Sequence, residues 1–450
     1  LEKSLQVILD GVYDKMLKYT HNVKSPLTNI YMLGIILPTL SLAILPLATA
    51  MLSDSIRWYH LILTFNILVP FLVTIMTKKV VMERPGGYGE TLLLEKNPLY
   101  SEYTSRKSYY IALFFCIPIA ILGLLPLIWR YVPIYKWLDL PMDPTWTQIG
   151  LASFGESGIF GISMKNGVIS GPLSLLSLVL SLLVPLAVAL FFIVGNSART
   201  KKLIIEREKY KEVEQEFNSS LFQLGNRLGD GVPPEIAFSK VLESTKGTST
   251  EGFFRLVNQN IQQLGMSLEQ ALFNPKRGAI VFYPSHLIET SMKILIESSK
   301  KGLAVAARSL MSISEYVKNI KKIDDRLNDL LADILSDMKS NMTFLAPLLS
   351  GIIVGLTGMI NSILSSLGGA MASADAGGSG GLFDMNIFSE LFSAGKMISP
   401  SWIQLVVGIY LIQVIFMLTS TLVVIKSGND DLLTTFEIAQ NLKRGMILYL

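Results

Sequence analysis

The chain has 450 residues, of which 50% are hydrophobic and only 16% charged, and its mean hydropathy is +0.46. That balance excludes a water-soluble globular protein and predicts an all-α polytopic membrane protein. The net charge of +4, one cysteine and three histidines exclude a disulfide framework and leave little material for redox or zinc chemistry.

Leu1–Asn22 is amphipathic and too polar for the apolar core of a signal peptide, so the first span is expected to be a retained helix. Apolar stretches of spanning length follow. Asn29–Met51 and Leu61–Met76 occupy 29–76; a polar loop fills 77–107; Ser108–Trp129 and Pro172–Gly195 occupy 108–195 with an external loop at 130–171. After the polar block 196–341, Met342–Leu364 and Trp402–Ile425 occupy 342–425 around a Gly/Ser-rich external loop at 365–401. The segment 426–450 ends in an apolar Gly445–Leu450 that opens a seventh span. The expectation is about seven transmembrane helices, the last incomplete, in a chain truncated at both ends.

Segments 1–28, 77–107, 196–341 and 426–444 carry 34 of the 39 Lys and Arg residues. The positive-inside rule therefore places them in the cytoplasm. Outside, Trp129, Tyr131, Tyr135, Trp137 and Trp146 crowd the start of the 130–171 loop, as aromatics do at headgroup level. "SSLGGAMASADAGGSGG" at 365–381 has linker composition, followed by the amphipathic "LFDMNIFSELF".

The 196–341 block reads as a bundle of about six helices. Tyr210, Val213, Phe217, Leu221, Leu224 and Leu228 form one apolar stripe, stopped by "GDGVPP" at 229–234. Helices follow near Glu235–Thr245, Glu251–Leu264, Leu268–Phe273 behind the capping-box spacing of Ser267, and Pro284–Lys301. From Leu303 to Ala346 neither Gly nor Pro occurs, while Ile313, Tyr316, Ile320, Ile323, Leu327, Leu330, Ile334 and Met338 keep an apolar face. That predicts an unbroken helix of roughly 66 Å running from the soluble block into a span. Leu9–Leu40 reads as a weak copy of the same junction, with Pro38 matching Pro347, and points to an internal duplication.

No Walker loop is present, since "RPGGYGET" at 84–91 lacks the lysine, and His21, His60 and His286 lie in separate segments. No catalytic residue, cofactor or metal is expected. The spans carry no ionisable residue at their centres, which disfavours an ion pathway. A transporter or channel with a cytoplasmic regulatory domain stays the alternative, resting on the span prolines. Two charged stripes stand out on the long helix: Asp325, Asp329, Asp333 and Asp337 at i,i+4 spacing, and Lys318, Lys322 and Arg326 with Lys321 before them. Each is either a solvated face or a docking surface. The acidic one could meet Lys15, Lys18 and Lys24; the basic one, with Lys300, Lys301 and Arg308, could meet an acidic partner or membrane lipid. Nucleic acid is not expected, because the block holds 21 basic against 18 acidic residues. Gly351 and Gly355 form a small-xxx-small face for helix packing, within the bundle or between copies.

"LGNRLGDGVPPEIAFSKV" (224–241), "LGMSLEQALF" (264–273), "GAIVFYPSHLI" (278–288) and "SSKKGLAVAARSLMSISEYVKNI" (298–320), running into "FLAPLLSGIIVGLTGMI" (344–360), resemble the platform proteins of type IV pilus-like machines. These carry the type II secretion system F domain, and the likeness is to the archaeal archaellum and pilus branch. The resemblance implies that 1–28 is the tail of a first cytoplasmic helical domain and 196–341 the second. It further implies a homodimer in the cell membrane beneath a hexameric secretion ATPase, passing its motion to pilin-like subunits. Lys300, Lys301, Arg308, Lys318, Lys321 and Lys322 would be the ATPase contact.

Overall fold

The computed structural model describes residues 2–51, 57–83, 100–132, 135, 141–148, 158–165, 168–375 and 398–450. Among these residues, six helices are long and apolar enough to cross a membrane: Leu17–Leu45, Trp58–Met82, Lys107–Tyr131, Leu175–Gly229, Leu303–Ile363 and Pro400–Ser427. Each of the six complete spans read from the sequence lies largely within one of them. Trp137, "RPGGYGET" and "LFDMNIFSELF" lie outside the described residues.

The membrane layer is built from the second half of α1 (Glu2–Tyr31), α2 (Leu37–Met51), α3 (Trp58–Leu61), α4 (Val69–Met82) and, after the short α5 (Tyr100–Thr104) at its edge, α6 (Lys107–Tyr131) and the first half of α7 (Leu175–Gly229). The soluble bundle holds the rest of α7, then α8 (Pro234–Ser244), α9 (Glu251–Gln262), α10 (Leu268–Phe273), α11 (Ala279–Phe282), α12 (His286–Ser299) and α13 (Leu303–Ser340). The chain returns through α14 (Ala346–Asp375), α15 (Pro400–Ser427) and α16 (Asp431–Tyr449). The linker expected at 365–381 is helical as far as Asp375. A short hairpin, Ser163–Lys165 paired with Val168–Ser170, was not foreseen, because strands of three residues are too short to show alternation.

Two apolar cores account for the division. Phe217, Phe238, Phe253 and Phe254 are fully buried at the centre of the soluble bundle. Their rings meet at centroid distances of 5.3–6.1 Å, in mostly edge-on or tilted contacts. Local signals set the ends of these helices. Ser267 and Ser285 accept the backbone N–H of Gln270 and Ile288, and Gly231, at φ +81°, supplies the left-handed turn after α7. The second core gathers α1, α2, α4, the end of α13, α14 and α16 around α15, whose Ile403, Val406, Ile415 and Leu418 are all but inaccessible.

The sequence separated the fourth span from the first soluble helix, yet they are one helix. α7 runs 55 residues without a break, about 80 Å. It lies antiparallel to α13: Gly225 faces Ala307 and Met311, and Ser314 Oγ donates to the Asn218 carbonyl at 3.1 Å. Two continuous helices therefore connect the soluble core to the membrane core.

The predicted uniformity of the long helix needs one correction. Between α13 and α14 the chain makes a π turn, Asn341–Leu345, and the same widening occurs at Met32–Ile36 and Ile62–Leu68. All three end two residues before a proline, Pro347, Pro38 and Pro70. Proline has no N–H for the carbonyl four residues back, and its ring presses on that carbonyl. A wider turn relieves the clash without breaking the helix. The two junctions compared in the sequence share this distortion at the same distance from their prolines.

Candidate functional site

The basic residues of α13 are separated by helical geometry. Arg308, Ser312, Glu315, Lys318, Asn319 and Lys322 recur at spacings of three and four, so they share one face. Against α7 they line a groove of about 650 Å³ whose wall includes Phe222, 50% exposed. One carboxylate, Glu315, sits among the three cations. Lys321 is exposed but turned roughly 100° around the helix from Lys322.

Lys300 and Lys301 lie at the turn before α13, about 25 Å along the axis from Lys318. Lys300 Nζ binds Glu297 at 2.9 Å, and that hydrogen-bonded carboxylate raises its pKa above the ordinary lysine value. An ammonium already paired has less to offer an incoming acid, so Arg308, Lys318 and Lys322 form the stronger anion-facing set.

Asp325, Asp329, Asp333 and Asp337 are all exposed and continue the groove's face toward the membrane. Among the described residues no ion pair joins them to Lys15, Lys18 or Lys24. α1 instead packs on α13 through apolar side chains, with Tyr19, Val23 and Leu27 sharing a buried cluster with Leu331 and Met338. The glycine pair divides: a Cβ on Gly351 would stand 3.4 Å from the Tyr449 carbonyl of α16, whereas Gly355 is exposed with nothing within 4 Å.

Two groups of residues escaped the sequence reading. At the junction of soluble and membrane layers, Arg207 Nη1 meets the Asp430 carboxylate at 2.6 Å, with side chains 18% and 3% exposed. Asp430 Oδ1 also accepts the Leu433 N–H and so caps α16. Nearby, the Arg199 guanidinium lies over the rings of Tyr103 and Tyr109 and donates to the Tyr103 carbonyl. Desolvation dominates at the Tyr103 phenol and pushes its pKa up. These contacts tie α5, α6 and the α15–α16 turn to α7.

The second group lies on α15. Pro38 and Pro70 deprive the carbonyls of Gly34 and Asn66 of their helical donors. Tyr410 Oη donates to the first and Gln413 Nε2, at 3.2 Å, to the second. An unmet carbonyl costs several kcal/mol in hydrocarbon, so α15 supplies what the prolines removed. The signal was present in the sequence, as two polar residues three apart in an apolar span, but their targets are 376 and 347 positions away. Tyr410→Phe should lower stability by about 1–3 kcal/mol, read as an earlier thermal transition in detergent with helix content unchanged; no shift would mean that the Gly34 carbonyl has another donor.

Among the described residues no group of three His, Cys, Asp or Glu side chains is placed to hold a metal ion. Compared with protein-family models, with curated proteins and with solved structures, the chain matches none.

Proposed function

We propose that the chain is the membrane platform of a type IV pilus-like, archaellum or type II secretion-like machine. In this reading it is not an enzyme. It sits as a homodimer in the cell membrane with the bundle in the cytoplasm, and couples a hexameric secretion ATPase to the assembly of pilin-like subunits.

The observation that carries the reading is the pair of antiparallel helices, α7 and α13–α14, which join the soluble core to the membrane core, the second through the π turn at Asn341–Leu345. A helix bends sharply at prolines and π turns, so a displacement applied to the bundle travels along the whole of α13 and reaches the spans at the π turn Asn341–Leu345, where the chain stays helical. The groove of Arg308, Lys318 and Lys322 lies roughly 36 Å or more from Ala346 along α13, where a soluble partner gains leverage. A transporter would use the span prolines as helix breaks. Pro38 and Pro70 instead lie inside continuous helices, with their freed carbonyls met by α15.

Charge reversal at Lys318, Lys321 and Lys322 should weaken ATPase binding about tenfold or more, and reversal at Lys300 and Lys301 less, because Lys300 is already paired. A low-salt pull-down with the ATPase reads both. Unchanged affinity in the first variant would sink the docking assignment.

A further inference from the structure

The solvent face of α13 carries a pattern finer than its two charged stripes. Arg308, Met311, Glu315, Lys318 and Lys322 follow one another at spacings of 3, 4, 3 and 4, and Asp325 and Asp329 extend the same alternation. That is a period of about 3.5 residues, the spacing of a seam along which one helix meets another. From Arg308 to Asp329 the row is about 32 Å long, inside a helix that runs from Leu303 to Ser340. Its charged members are all exposed, and half-buried Met311 joins Phe222 of α7 as the apolar part of the groove.

The charges in this row are left without partners. Elsewhere on the bundle exposed charges pair within one turn, as Arg255 does with Glu251, Lys293 with Glu289 and Lys300 with Glu297. Arg308, Glu315, Lys318, Lys322, Asp325 and Asp329 make no ion pair among the described residues, although Lys318 stands three positions after Glu315 and Asp325 three after Lys322. The order of signs then narrows the occupant. Arg308 and Lys318 lie about 15 Å apart along the axis, too far for one phosphate to bridge. Glu315 between them repels a continuous polyanion such as a nucleic-acid strand. A second copy in the same bilayer is related by an axis along the membrane normal, so each residue meets its own equivalent. Lys318 would face Lys318 and Asp325 would face Asp325, and like charges repel.

Taking the docking role suggested for this groove as given, we propose that the row receives one amphipathic helix of a partner protein, opposite to it in sign position by position. Counted toward the membrane, the partner presents an acid to Arg308, an apolar side chain to Met311 and Phe222, and a base to Glu315. Acids then meet Lys318 and Lys322, and bases meet Asp325 and Asp329. The apolar contact supplies hold, while the order of charges selects the partner and fixes its register.

The test is fluorescence anisotropy of labelled synthetic helices about four heptads long, titrated with the full chain in mild detergent at low salt. The first carries Glu, Leu, Lys, Glu, Glu, Lys and Lys at the spacing of the row, and the second carries them in reverse chain order, for a helix docked in the other direction. The third is the first with every sign exchanged, so all three have the same net charge. One of the first two should bind at least about tenfold more tightly than the third. Lys318→Glu with Lys322→Glu should weaken that helix about tenfold and strengthen the sign-exchanged one. Lys321→Glu, the same charge change on another face, should cost less than about twofold. Equal binding of all three helices to the native protein overturns the proposal. So does a cost of Lys321→Glu as large as that of the double change, or a dimer of the chain that takes up no helix and splits on the double change. The comparison among the three helices uses the native protein, so it decides the matter even where a variant fails to fold. Because no ATPase is present, helices that bind alike leave the platform to be judged by its own pull-down.

Discussion

Inserting Gly-Gly after Lys339 is expected to abolish filament assembly while leaving ATPase binding intact. The insertion point lies in the last turn of α13, between the basic groove and the π turn that leads into α14. Two glycines add flexibility at about 1 kcal/mol each relative to alanine. They also rotate everything downstream by roughly 200° relative to the bundle. The second effect matters because Met338, Met342 and Ala346 are buried in one membrane core, and the insertion would swing Met338 out of register with the others. A companion variant isolates flexibility from register: Ser340→Gly with Asn341→Gly changes no spacing, and Ser340 is exposed. Filament counts by electron microscopy and an ATPase pull-down read both. Assembly that survives the insertion would reduce the long helix to a tether; loss in the insertion alone would assign the effect to register.

Asp430→Ala should destabilise the protein by about 1–3 kcal/mol, less than the cost of stranding a buried charge, because Arg207 is partly exposed and keeps another contact. Asp430 is 3% exposed, so Arg207 would lose the carboxylate that faces it from α16. The same change removes the cap on the Leu433 N–H, worth about 1 kcal/mol. Asp430→Asn separates the two contributions, because an amide oxygen still caps the helix but carries no charge. Its loss should be smaller than that of alanine by roughly the cap alone. Thermal unfolding in detergent micelles reads the order: native, then asparagine, then alanine. Equal stability of the native and asparagine forms would show that the pair contributes nothing net.

Much of the soluble bundle could be read locally. Ser267, Gly231 and the apolar stripe of Phe217, Leu221 and Leu224 mark helix starts, stops and buried faces within a few residues of where their effects are felt. The short turn Ala279–Phe282 was missed because four residues hold little periodicity. The basic residues of α13 could also be named from the sequence, but not sorted. Which of the six share a groove depends on α7, whose Phe222 supplies the facing wall.

The sequence by itself determined the membrane class, the six long spans and the helical nature of the soluble block, because hydropathy and a 3.6-residue period are properties of short windows. Only the tertiary structure decided that α7 is one helix from soluble core to membrane core, that Arg207 finds Asp430, and that α15 answers the carbonyls freed by Pro38 and Pro70. Those pairings join residues hundreds of positions apart. A donor in one span and an orphaned carbonyl in another leave no mark on each other's neighbours, and packing alone brings them together.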